Sequence, residues 1–221
     1  MKSGIMPVVL DLEMSGLDVV KCGIWQIGAI DLNTMEEFLE ESRIDDEDSI
    51  DREALVVIGK TEEELRDEDK QSQKEMIEKF FRWVAGRAMR NVLCQNPQFD
   101  VGFIDIRAKK YGLKKPFQFR TFDLHSISQT TYHKINGEFF IRSSKEPGTF
   151  ESDMNLTNIL KMCGVPDKRT QVIDGKITQK GNPHNALEDC KLTGECFYRL
   201  IFGKNLFPEY SKYKIPKELM K

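Results

Sequence analysis

The stretch Ile5-Met6-Pro7-Val8-Val9-Leu10-Asp11-Leu12-Glu13 decides the fold. It is an apolar run, rich in strand formers, that ends in acids, the composition of a buried strand. A second run, Ile24-Trp25-Gln26-Ile27-Gly28-Ala29-Ile30, follows a turn near residues 15–18, so two adjacent strands are the economical reading. Residues 35–43, with Phe38 and Leu39, read as a third strand of the same meander ahead of an acidic loop at 45–53. The period then changes. Met76, Ile77, Phe80, Phe81, Val84 and Ala88 recur at three- and four-residue spacing, which predicts an amphipathic helix within 72–89. Residues 91–94 read as a short buried strand, 99–111 as a helix stopped by Gly112, and 119–122 as another strand. Strand, helix, strand, helix implies parallel pairing, so the expected class is α/β with a mixed sheet.

Further along, Asn136-Gly137 between residues 131–135 and 138–141 predicts a hairpin, because Asn-Gly supplies the positive φ angles of a tight turn. Residues 156–162 form a short helix closed by Gly164, residues 167–183 a polar loop, and residues 185–201 a long amphipathic helix. In that last helix Ala186, Cys190, Thr193, Phe197 and Leu200 mark the buried face, and Glu188, Lys191, Glu195 and Arg199 the wet one.

The 221 residues suit one domain, and 39% hydrophobic against 31% charged residues is far from the composition of disordered chains. No apolar run approaches the roughly 18–20 residues of a membrane-spanning helix, and Lys2 precedes no long apolar block. Five scattered cysteines without a C-x-x-C pair read as reduced thiols, so a cytoplasmic, intracellular protein with no membrane partner is expected. The net charge of −3 is an average over a polarised chain. Residues 36–69 hold 16 acidic and 4 basic residues, a balance of −12, whereas the remainder carries 29 basic and 20 acidic, +9. That remainder can face a polyanion if the acidic stretch lies elsewhere.

Four acids stand out by position. Asp11 and Glu13, two apart on a strand, point to one side, with Leu12 to the other. Two like charges on so apolar a strand are costly unless a cation sits between them; a solvated pair at a fraying strand end is the alternative. Asp100 falls in the first turn of a helix, where the helix dipole alone also accounts for an anion. Asp189 lies at the edge of the buried face of the last helix, as a site acid or as one paired in the core. His184 sits on the loop ahead of Asn185, a helix N-cap with Glu188 three residues on. Its ordinary pKa of about 6.5 suits proton transfer, although an inert loop histidine is the alternative. His125 and His133 read as inert.

The segments D-L-E-M-S-G-L-D (11–18), N-P-Q-F-D (96–100) and H-N-A-L-E-D (184–189) resemble the three exonuclease motifs of the DEDDh, DnaQ-like family of 3′–5′ exonucleases. That family includes the proofreading subunit of bacterial replicative DNA polymerase, ribonuclease T and oligoribonuclease. The resemblance implies a ribonuclease H-like α/β fold, with a mixed sheet of about five strands flanked by helices. It implies a single exonuclease domain over 1–221, with its core at about 5–202, inserts at about 130–151 and 167–182, and a basic C-terminal tail. It also implies that Asp11, Glu13, Asp100 and Asp189 hold two divalent cations, Mg²⁺ or Mn²⁺, and that His184 activates the water. Met14, Gly16 and Leu17 would contact the terminal nucleotide, with Met14 and Leu17 beside its base or packed in the core, and Asn96 and Phe99 occupy substrate-binding family positions around the second motif, Phe99 more as a packing residue than as a stacking platform. Asp123 comes near the site by topology without a ligand role.

The implied substrate is a nucleic acid with a free 3′ end, single-stranded or frayed DNA first, released as nucleoside 5′-monophosphates. An exoribonuclease of the oligoribonuclease or ribonuclease T type is the alternative, and a non-cleaving nucleic-acid-binding module is the reading from another class. A polymerase or another protein is a possible partner. Two departures concern substrate contacts: Gln26 stands where many relatives carry Glu, and Ile58 stands before Gly59 where many carry His. Arg107, Lys109, Lys110, Lys114, Lys115 and Arg120 are candidates for a phosphate-tracking patch. Two bound cations would move the +9 remainder to about +13, with the acidic segment expected away from the cleft.

Overall fold

The structure is a computed structural model that describes residues 4–173 and 176–220. β1 (Val8–Met14) pairs antiparallel with β2 (Ile24–Asp31) in a register running from Val8 opposite Asp31 to Glu13 opposite Gln26. β2 pairs antiparallel with β3 (Glu36–Glu41), so the expected meander is present. α1 (Arg52–Ile58), α2 (Glu62–Leu65) and α3 (Gln73–Ala85) follow. β4 (Val92–Cys94) then returns parallel to β1, α4 (Pro97–Lys110) leads away, and β5 (Phe122–Asp123) completes a mixed sheet of order β3-β2-β1-β4-β5. After it come α5 (Leu124–Asn136), the hairpin β6 (Ile141–Ser143) and β7 (Phe150–Ser152), α6 (Leu156–Cys163), the hairpin β8 (Gln171–Ile173) and β9 (Lys176–Gln179), and α7 (Ala186–Phe202). This is a ribonuclease H-like arrangement. No helix among the described residues is long and apolar enough to cross a membrane.

Two compact units make up the chain. The first holds residues up to Phe122 together with Lys168–Cys190. Its core follows from the period of two along β1. Val8, Leu10 and Leu12 pack with Met76, Ile77, Phe80 and Val84 of α3 and with Phe103 and Ile104 of α4. Asp11 and Glu13 are therefore turned to the opposite face of the sheet. The helical reading of 72–89 is borne out, with Ser72 and Glu75 forming a reciprocal cap at its start. A smaller cluster of Trp25, Ile44, Ile58 and Leu65 seats α1 and α2, two helices without a counterpart in the sequence reading.

Three of the six residues expected in a phosphate-tracking patch are engaged elsewhere, while Lys109, Lys114 and Arg120 are exposed. Arg107 is buried and pairs with the buried Asp48 at 3.1 Å, Lys110 pairs with Asp45 and Glu47, and Lys115 pairs with Asp105. Half of the six basic residues thus neutralise carboxylates, and two of them bind acids of the 36–69 stretch. The same stretch corrects a second expectation. It does not stay away from the cleft, because α1 borders the site described below.

The second unit holds Asp123–Asp167 and the chain from Lys191 onward. Here Asn136-Gly137 ends α5 instead of turning a hairpin: Gly137, at φ 81°, donates its N–H to His133. The dipeptide's capacity for positive φ serves a helix terminus as readily as a tight turn. The hairpin lies later, at β6 and β7. Glu195 and Arg199, expected on the wet face of α7, form a fully buried pair at 2.7 Å. Arg199 donates to the carbonyls of Cys163, Tyr210 and Tyr213, and Glu195 accepts the N–H groups of Leu206 and Phe207. The chain after α7 folds back and satisfies this pair.

Candidate active site

The site forms on the face of the first unit opposite the α3 and α4 layer. β1 contributes Asp11 and the buried Glu13. Asp100 is placed by the start of α4, where Asn96 takes a left-handed conformation at φ 66° and Pro97 occupies the first helical position. Asp189 comes from the first turn of α7. Asn185 caps that turn as expected, accepting the N–H groups of Leu187 and Glu188.

β2 is the platform for that turn. Gln26, almost fully buried, accepts the Ala186 N–H at 2.8 Å through its side-chain oxygen and donates its amide to Glu41 at 3.0 Å. Beside it, Gly28 permits the close approach, since a Cβ there would overlap the Ala186 backbone. The Cys190 thiol donates to the Gly28 carbonyl at 3.2 Å. A neutral amide at position 26 thus performs a capping task.

Ligand atoms of Glu13, His184 and Asp189 lie within 4.8 Å of one another. Burial, then repulsion from Asp189, Asp100 and Glu13, pushes the Asp11 carboxyl well above the usual range. Burial and Asp189 do the same to Glu13. Burial raises Asp100 to about 7, against the N–H donated by Leu12. Acids so arranged need positive charge. Among the described residues, Glu13 Oε1 and Asp189 Oδ1 are buried with no hydrogen-bond partner. Hard, convergent, unpartnered oxygens are the donor set that Mg²⁺ or Mn²⁺ prefers, so these residues fit a divalent-cation site.

Two groups that the sequence reading missed come from residues 168–182. Arg169 pairs with Asp189 Oδ2 at 2.9 Å. The Thr170 carbonyl lies 3.0 Å from His184 Nε2, and since a carbonyl only accepts, Nε2 carries the hydrogen there. His184 Nδ1 faces Asp189 Oδ2 at 3.4 Å, and its backbone N–H donates to Val57. Neither Arg169 nor Thr170 lies in a motif or on a periodic face, so only a three-dimensional contact identifies them.

Beside Glu13 opens a cleft of about 640 Å³ lined by Met14, Gly16 and Leu17, by Asp51 to Ala54 with Val57 and Ile58 of α1, and by Val172. Leu17 is 74% exposed. Gly16 lies against Asp51, whose carboxylate accepts the Leu17 N–H at 3.3 Å. Met14, Gly16 and Leu17 are therefore together at the cleft, whereas Phe99 packs edge-on against Phe103 at 5.2 Å and Asn96 shapes the turn that delivers Asp100.

The family model for RNase T, described as Exonuclease, matches residues 8–197. No curated protein matches the chain. Among solved structures it is similar to the nuclease domain of 3′hExo, a DEDDh family member, bound to rAMP, at 16% identity and a TM-score of 0.59, covering 95% of both chains. It is also similar to E. coli Exonuclease I in complex with a dT13 oligonucleotide, at 15% identity and a TM-score of 0.61, covering 88% of this chain and 41% of the other. A third likeness is to cell-death related nuclease 4, at 15% identity and a TM-score of 0.57; there the chain is covered to 88% and spans 62% of the longer protein. At such identities these likenesses speak for the fold.

Proposed function

We propose, from the premise that this chain belongs to the RNase T family of exonucleases, that it is a metal-dependent enzyme removing nucleoside 5′-monophosphates one at a time from a free 3′ end. The observation that carries this reading is the grouping of Glu13, His184 and Asp189 within 4.8 Å, with Asp11 and Asp100 close enough to join in the mutual repulsion of the buried carboxylates. The same reading treats the chain as one exonuclease domain.

Asp11, Glu13, Asp100 and Asp189 would hold two Mg²⁺ or Mn²⁺ ions, which when bound supply Lewis-acid stabilisation of the attacking and leaving oxygens of the scissile phosphate. His184 is the proton acceptor. With Nε2–H held by the Thr170 carbonyl, Nδ1 is the nitrogen left to take a proton from the attacking water. The water oxygen bonds to phosphorus as the P–O3′ bond breaks, the water's proton passes to His184, and the 3′ oxygen takes its proton from solvent as it leaves. Met14 and Leu17 offer apolar faces to the terminal base, and Gly16 keeps the backbone low beside them.

DNA is the first substrate of this reading. The cleft beside Glu13 sets Met14, Leu17, Ala54, Val57, Ile58 and Val172 beside the charged Asp51, Arg52 and Glu53, and the support for a deoxyribose is the apolar side chains, which offer no partner to a 2′-hydroxyl. Matched DNA and RNA oligomers carrying a 5′ label, incubated with Mn²⁺, test all of this together. The expected result is a ladder shortening from the 3′ end, faster for DNA. RNA cleaved faster moves the assignment to an exoribonuclease, and intact substrate of both kinds leaves the non-cleaving binding module.

A further inference from the structure

The buried acids are not left without positive charge. Arg169 reaches Asp189 Oδ2 at 2.9 Å, with its side chain only 11% exposed. Its field extends to Asp11 and Glu13, where it opposes the effect of burial. The segment that carries it is clamped. Asn182 accepts the Thr170 N–H at 2.7 Å and donates its own N–H to the Lys168 carbonyl at 2.8 Å. The Gln179 amide donates to the carbonyl of Arg169 itself at 3.0 Å. On a backbone so held the guanidinium is presented to Asp189, and a charge-assisted pair of this kind is strong.

We propose that Arg169 is a positioning residue that serves as the site's own counter-cation, holding Asp189 in place and competing with divalent cations for the cluster. The proposal rests on the metal-dependent reading above. In its absence four carboxylates would face one another in a buried setting. In its presence each arriving cation meets a positive charge already paired to a ligand. Arg169 therefore stabilises the metal-free site and lowers its affinity for metal. An arginine that merely oriented the ligand would raise that affinity.

The sign separates the two roles. Arg169→Gln removes the charge and leaves a shorter side chain with an N–H donor. Mn²⁺ affinity, read by electron paramagnetic resonance of the free ion, is expected to rise about tenfold in this variant. In chelator the variant should melt below the wild type, and the gap should close at saturating Mn²⁺. Equal or weaker Mn²⁺ binding by Arg169→Gln overturns the proposal while leaving the metal site standing, whereas failure of the wild type to bind Mn²⁺ removes both. If the variant does not fold, the wild type still decides. In ¹⁵N-arginine spectra the Arg169 side-chain N–H should shift as Mg²⁺ is titrated, and an unmoved resonance at saturation also overturns the proposal.

Discussion

The side-chain oxygen of Gln26 accepts the backbone N–H of Ala186 at 2.8 Å, which ties a central strand to the first turn of the helix that delivers Asp189. The contact joins residues 160 positions apart in sequence and satisfies an N–H that the helix itself leaves unpaired. Position 26 thus acts on the site by aiming a ligand.

Gln26→Leu strips that acceptor and the donor to Glu41 from a buried position. An unsatisfied buried group costs about 1–3 kcal/mol, and at this chain length each kcal/mol moves the melting temperature by about 2–4 °C. The expected outcome is a melting temperature lower by several degrees and exonuclease turnover reduced about tenfold. Gln26→Glu keeps the acceptor for the Ala186 N–H at the positive end of a helix but sets a carboxylate against Glu41, so it should retain more turnover than Gln26→Leu while also melting below the wild type. Thermal melts and turnover on a labelled oligomer check the pair of variants, and equal behaviour of Leu and Glu would refute the capping role.

Asp11→Asn separates catalysis from stability. Above the raised titration range of Asp11, removing its charge from a buried cluster of acids relieves repulsion, so there the variant should melt at or above the wild type in chelator. It should also lose the upward shift that Mn²⁺ gives the wild type, and its cleavage should fall at least about a thousandfold. A variant that melts lower and still cleaves would place the metal elsewhere.

Much of this arrangement is legible in the sequence, for physical reasons that differ by element. The acids of β1 declare themselves because a period of two sends Asp11 and Glu13 to one face of an otherwise apolar strand. α3 and the placement of Asp189 follow from the helical period. Asn136-Gly137 is ambiguous because a residue in the left-handed region closes a hairpin or ends a helix equally well, and the turns of α5 decide between them. Glu195 and Arg199 read as wet because charge is ordinarily solvated, and only the chain returning over α7 supplies the carbonyls and N–H groups that bury them. Arg169 and Thr170 have no periodic signal at all; their part in the site arises from contacts with Asp189 and His184 that only the folded chain brings about.

His184→Ala removes the proton acceptor and leaves the four carboxylates untouched. Turnover should fall about 10²–10⁴-fold, the usual contribution of a positioned general base. Mn²⁺ affinity should change only a few-fold. Because the Nε2–H to Thr170 contact fixes the ring, replacing Thr170 alters little so long as its backbone carbonyl stays in place. Calorimetric Mn²⁺ titration beside single-turnover cleavage distinguishes the roles. A large loss of affinity with modest loss of rate would make His184 a ligand.

The metal-free site carries a pH signature with a definite sign. Asp11, Glu13 and Asp100 all have folded pKa values above their unfolded ones, Asp100 at about 7. Such groups bind protons more tightly in the folded chain, so their contribution to stability is complete below about pH 4, the unfolded carboxyl value, and is lost as pH rises through each raised folded value, about 7 for Asp100. In chelator the wild type should therefore melt progressively lower from about pH 4 to about pH 8. Asp100→Asn should show a shallower fall over that window, because one of the three titrating groups is gone. Saturating Mn²⁺ should reverse the slope, since cations favour the ionised carboxylates and bind better as protons leave. Calorimetry at closely spaced pH values reads the difference between the two proteins. A metal-free wild type whose melting temperature runs parallel to that of Asp100→Asn across the window would show that this carboxyl is not held protonated by burial.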